Sequence, residues 1–197
     1  MKSIKEVVEH LCENVCGVYK ITDSNGKDYN LIFNEQNIPH VLGLHKVSDI
    51  PKLQSLNNIK NKKTDRIIKD IKLGEINNEI IASSSNSEGI KEVESRVDNS
   101  YMISAMISQG EMIADFDPQK VMFKDSIIDA SSLIYKLDNG TSYHLFLKKQ
   151  YKDNYYPVTF FVRQDDNYYK KQNSYKIVNV TRNNGSKKKK SKRRKKF

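Results

Sequence analysis

Histidine is the side chain best suited to moving protons near neutral pH, and this sequence holds four: His10, His40, His45 and His144. His10 lies off the apolar stripe of the first helical segment, where solvent is its natural partner. His40 and His45 stand five residues apart in the apolar, Pro- and Gly-punctuated stretch Ile38-Pro39-His40-Val41-Leu42-Gly43-Leu44-His45-Lys46. That spacing speaks against zinc, because ligands on one helical face sit at i, i+4 and need further Cys, His or carboxylate partners. His144 falls in the run 141–148, where strand alternation puts Ser142, His144, Phe146 and Lys148 on one face. In the following run, 156–163, Thr159, Phe161 and Arg163 share a face, so one sheet surface could carry His144, Lys148, Thr159 and Arg163. The plain alternative is a cross-strand polar pair on a half-exposed sheet. The chemistry that asks for such groups is metal-free RNA cleavage. A base takes the 2′-OH proton, an acid protonates the leaving 5′ oxygen, and cations or hydroxyls hold the phosphorane charge. Other chemistries find less. There is no Walker loop, G-x-G-x-x-G, G-x-S-x-G elbow or C-x-x-C pair, and Asp115 and Asp117 are explained by a turn before Pro118.

These residues must be held by a definite set of elements. Residues 3–16 place Ile4, Val7, Val8, Leu11, Cys12 and Val15 on one helical face, with Ser3 as N-cap and Gly17 as stop. Two apolar runs, 18–23 and 28–33, flank Ser24-Asn25-Gly26-Lys27 and predict a β-hairpin. Pro39 starts a helical turn, Ile67, Ile68 and Ile71 belong to a helix ending before Gly74, and residues 88–108 resume a helical pattern. The second half changes period. Runs 131–137, 141–148, 156–163 and 175–181 are β-branched and aromatic, the first two joined by Asp138-Asn139-Gly140, and predict an antiparallel meander. The expected fold class is α+β, with N-terminal helices packed on a C-terminal four-stranded antiparallel sheet. One domain over residues 1–182 and a flexible basic tail over 183–197 are expected.

Composition narrows the setting. The 197 residues carry 34 Lys and Arg against 24 Asp and Glu, yet residues 187–197 alone hold nine of the cations, leaving 25 against 24 in the rest. The high pI therefore describes an appended tail and not a basic domain. Apolar stretches are a handful of residues long, far short of a membrane span, and the start of the chain lacks an uninterrupted apolar core, so a cytoplasmic address with no membrane partner is expected. Cys12 and Cys16, at i, i+4, read as small buried apolar residues.

The run Asn37 to Lys46, followed by His144-Leu145-Phe146-Leu147 and Tyr156-Pro157-Val158-Thr159-Phe160-Phe161, resembles the phage-associated branch of the barnase, EndoU, colicin and RelE-like nuclease superfamily. The likeness spans residues 18–180 and rests mainly on His-x-Leu-Gly-Leu-His-Lys. It implies the same helical part on a four-stranded antiparallel sheet. It also implies a metal-independent endoribonuclease without cofactor, leaving 2′,3′-cyclic phosphate ends and used as a toxin or in phage conflict, with an antitoxin or immunity protein as a possible partner. Carried over by position, it marks His40, His45, Lys46, His144 and Thr159 as catalytic. His45 or His40 would be the base and His144 the acid, with Lys46 and Thr159 as oxyanion stabilisers and Arg163 and Tyr175 as weaker additions. A non-catalytic nucleic-acid-binding or antitoxin-interacting protein keeping the fold is the alternative, and a metal nuclease the third. The tail residues Lys187, Lys188, Lys189, Lys190, Lys192, Arg193, Arg194, Lys195 and Lys196, together with Lys148, Arg163 and Tyr175, are the expected RNA contacts, the tail's through salt-sensitive release of counterions.

Overall fold

The computed structural model describes residues 1–57, 63–121 and 128–183, so the basic run and the contacts expected of it lie outside the described residues. Ser3 caps α1 (Ile4–His10), and a π turn, Leu11–Val15, continues it before Gly17. The helix buries Ile4, Val7, Val8 and Leu11, while exposed His10 pairs with Asn14. Cys12 and Cys16 are free and half-buried against the core. Burial pushes the Cys16 thiol up to about 12, which keeps it protonated and unreactive at neutral pH.

The hairpin of β1 (Gly17–Asp23) and β2 (Asp28–Phe33) forms as expected, its turn closed by the buried Asp23 carboxylate, which accepts from the backbone N–H of Asn25 and Lys27 at 2.8 and 3.0 Å. The middle of the chain then supplies α2 (Ile38–Val41), α3 (Thr64–Lys72), α4 (Asn78–Ala82), α5 (Ser87–Asp98) and α6 (Tyr101–Ser108). The single helical pattern expected over 88–108 is thus broken near Asn99 and Ser100. The last strands are β3 (Met112–Asp115), β4 (Ser132–Asp138), β5 (Thr141–Lys149), β6 (Asn154–Arg163) and β7 (Asn173–Asn183).

These strands correct the expected four-stranded antiparallel sheet. They form a closed seven-strand barrel in the order β1-β2-β6-β5-β4-β3-β7, mixed because β2 runs parallel to β6. The meander β4-β5-β6 is present. β7, however, pairs with β1 and β3 instead of β6, because residues 164–172 carry the chain away from β6. Closure buries one face of β1 to β6, where Ile21, Leu31, Ile113, Ile134, Leu145 and Phe160 share a core with helical Leu11, Ile67 and Ile103, and β7 adds half-buried Tyr175, Ile177 and Val180. It also gives the edge strands partners, which an isolated four-stranded sheet leaves open. The closing β2–β6 contact is short, Asn30 with Asn154 and Leu31 with Tyr155. Further along β6, α2 and α5 pack against the strand. This junction brings the histidine-bearing turn to the sheet. Among the described residues, no helix is long and apolar enough to cross a membrane.

Candidate active site

Sequence and backbone together explain why His40, His45 and Lys46 come to one place. Pro39 opens α2, Gly43 ends it with φ +76, and a 3-10 turn, Leu44–Val47, follows. Ile38, Val41, Leu42, Leu44 and Val47 are buried in the core and pin the turn. The polar residues between them stay at its rim: the rings of His40 and His45 face each other with centroids 5.3 Å apart at 33°, and Lys46 is exposed. Asn86 fastens this turn to α5, donating to the Lys46 carbonyl at 2.9 Å while its own carbonyl oxygen accepts from the Gly89 N–H at 3.0 Å. Gly89 is needed for so close an approach, since a Cβ there would meet the Lys46 carbonyl oxygen at 2.6 Å.

Two residues that the sequence reading did not single out complete the cluster. Arg96 on α5 is 5% exposed; its guanidinium donates to Thr159 Oγ1 at 3.0 Å and to Glu92 Oε2 at 2.8 Å. Glu92 Oε1 also stands 3.6 Å from Lys46 Nζ, so one carboxylate faces two cations. Burial lowers the Arg96 guanidinium from its ordinary value and Glu92 opposes that shift. Arginine nevertheless stays charged in proteins. Arg96 lies directly on Gly43, where a Cβ would meet its Cδ and Nη1 at 2.9 Å. The left-handed turn that spaces the two histidines is therefore also what admits the buried cation. The signal for Arg96 was a charge on the apolar side of a helix, between Val93 and Val97, with Glu92 one turn earlier.

The sheet face expected from alternation is present: Thr159 lies opposite Phe146, and Phe161 opposite His144. His144 is therefore a diagonal neighbour of Thr159, but its setting differs from a half-exposed polar pair. It is fully buried, boxed by Phe161, Tyr168, Tyr169 and Phe146 at ring-centroid distances of 5.4, 5.7, 5.9 and 6.2 Å. Among the described residues neither of its ring nitrogens has a hydrogen-bond partner. Burial, with Arg163 adding to it, pushes its imidazolium down to about 3. A general acid has to carry its proton at working pH and reach the leaving group. The acid role expected for His144 does not fit this setting.

Two further placements are corrected. Lys148 pairs with Asp129, and because the register slips after Phe146 it stands opposite Tyr156, away from Thr159. Tyr175 lies on β7 opposite Ile113, separated from β6 by β1 and β2 one way round the barrel and by β3, β4 and β5 the other, and packs toward the core. Arg163 shares the His144 face as alternation expects, its guanidinium 5.5 Å from the Phe161 ring centroid. Asp115 ends β3 and pairs with Lys27, and Asp117 caps a 3-10 turn that starts at Pro118, so the turn expected before Pro118 lies after it.

Comparison with known proteins assigns the chain to a family. The model of the phage-Barnase-EndoU-ColicinE5/D-RelE like nuclease4 family matches residues 16–196. The chain belongs to this family. It is a nuclease of the barnase, EndoU, colicin and RelE-like type. No curated protein and no solved structure matches it significantly.

The buried histidine gives this nuclease a defined acid sensitivity. Burial and then Arg163 push the His144 imidazolium down to about 3 in the folded chain, whereas histidine in an unfolded chain has its ordinary value near 6.5. Between these values the unfolded state binds the extra proton, so stability falls as pH drops through 6.5 toward 3 and is insensitive to this group above 6.5. The slope contributed is about 1.4 kcal/mol per pH unit. Denaturant melts from pH 7.5 to 4 should show this slope in the wild type and lose it in His144→Leu. Parallel curves for the two proteins would refute the assignment.

Proposed function

We propose that the protein is a metal-independent endoribonuclease that cleaves by attack of the 2′-OH on the adjacent phosphate, leaving a 2′,3′-cyclic phosphate. The observation that carries this reading is the pair His40 and His45, two imidazoles 5.3 Å apart on one turn that also bears Lys46 and packs its Gly43 against Arg96. One ring takes the 2′-OH proton and the other delivers a proton to the departing 5′ oxygen. A couple of this kind needs one neutral and one protonated imidazole, which histidine supplies near neutral pH. Lys46 and Arg96 stand where negative charge develops on the phosphorane, and Thr159 orients the Arg96 fork. Glu92 neutralises both cations while the site is empty and yields them to the incoming phosphate. The basic tail adds nonspecific attraction to RNA, which high salt suppresses. The phage-linked description of the family supports use as a toxin or in phage conflict, and such use would call for a neutralising antitoxin or immunity protein.

The test is a pair of short oligonucleotides, one all-ribose and one carrying a single 2′-deoxyribose at the cleaved position. The ribose strand should be cut at that bond and the substituted strand should resist there. Equal cleavage of both would exclude 2′-OH attack.

A further inference from the structure

The aromatic box around His144 is unexplained by the acid–base couple. Leaving two buried ring nitrogens without partners is costly, and an apolar side chain would fill the same place without that cost. Around it, Tyr169 lies on Tyr135 like a stacked base, with centroids 4.6 Å apart at 16°, and Tyr135 is the residue opposite His144 on β4. Tyr168 and Tyr169 belong to the segment 164–172, which is tied down near its ends. Ser142 Oγ donates to the carbonyls of Arg163 and Asp165 at 3.1 and 2.9 Å, and Gln172 exchanges hydrogen bonds with the Asp117 backbone at 2.9 and 3.0 Å. Arg163 joins this box to the cleavage centre. Its guanidinium lies 6.0 Å from the Tyr168 ring centroid, and the residue also lines a cleft of about 490 Å³ with Ser95, next to Arg96 on α5, and Asn99, the C-cap of that helix.

We propose that His144, Tyr135 and the segment 164–172 form a subsite for one nucleobase of the RNA strand, occupied in the free protein by Tyr169. The inference rests on the ribonuclease reading and adds where the strand goes: its scissile phosphate at Lys46 and Arg96, its sugar–phosphate past Arg163, and a neighbouring base under the segment. Tyr169 swings out while Tyr168 keeps its place in the core against Phe146 and Phe161, the base replaces Tyr169 on Tyr135, and its polar edge meets the His144 ring. A neutral imidazole offers one donor and one acceptor, which suits a base edge carrying both. Exchanging one aromatic stack for another keeps the energetic cost of opening low, and the hydrogen bonds to His144 are gained only when a base is bound.

The chain has no tryptophan, so Tyr169→Trp installs a single reporter at the subsite. Its emission is titrated with the four nucleoside 3′-monophosphates, with ribose 5-phosphate and with inorganic phosphate. The subsite predicts that at least one nucleotide shifts the emission and binds roughly tenfold or more tightly than ribose 5-phosphate. Adding His144→Leu should flatten the differences among the four bases. Equal affinity for ribose 5-phosphate and every nucleotide, or a base preference untouched by His144→Leu, would overturn the proposal. Tyr169→Ala, which removes the occupant, gives a second readout on the same nucleotides, with the intrinsic tyrosine emission as the signal. Tighter binding than in the wild type supports the subsite, and unchanged or weaker binding counts against it. Selective nucleotide binding by a protein that cuts no RNA would remove the nuclease mechanism and leave the subsite standing.

Discussion

Replacing His40 or His45 by alanine lowers the single-turnover rate of RNA cleavage by about 10²- to 10⁴-fold, the loss expected when a general acid or base is removed. Both side chains are half-buried at the rim of the turn and the residues that pin the turn are other ones, so the variants should melt near the wild type. Because the two rings act as one couple, the double variant should be little slower than the worse single variant. Their pH profiles separate the roles: removing the base erases the acidic limb of the bell, and removing the acid erases the basic limb. A single variant that cleaves at the wild-type rate would take that histidine out of the mechanism.

The second large effect belongs to Arg96. Arg96→Lys and Arg96→Met should each lower kcat by about 10²-fold with KM little changed, since stabilisation of developing charge acts in the transition state. Lysine does not rescue, because a single ammonium cannot replace a planar fork that holds Thr159 and Glu92 together. The methionine variant should also lose about 1.5–3 kcal/mol of stability, the worth of hydrogen bonds to a charged group. A loss of stability with kcat intact would confine Arg96 to the fold.

How much of this was legible in the sequence depended on the range of the interactions involved. The turn carrying His40, His45 and Lys46 is local: Pro39 and Gly43 fix where helical winding starts and stops, and the intervening apolar residues show which side is buried. The face shared by His144 and Thr159 follows from period-two alternation and was visible for the same reason. Burial of His144 was not, because it depends on Tyr168 and Tyr169 folding back from a segment that looks like an ordinary polar loop. Arg96 was hidden among the charges of α5, and it acquires meaning only where α5 meets β6. The barrel was the largest omission. Its closure uses a parallel contact between β2 and β6 and the four-residue β3, too short to show a period of its own, and neither leaves a local mark.

The central claim is metal-independent transesterification by a histidine couple. Its most direct test incubates purified protein with total cellular RNA in excess EDTA, wild type beside the His40→Ala/His45→Ala double variant, with product ends mapped. The wild type alone should cleave, with 2′,3′-cyclic phosphate on one side of each cut and a 5′-hydroxyl on the other. Cleavage abolished by EDTA and restored by a divalent ion, or products bearing 5′-phosphates, would contradict it.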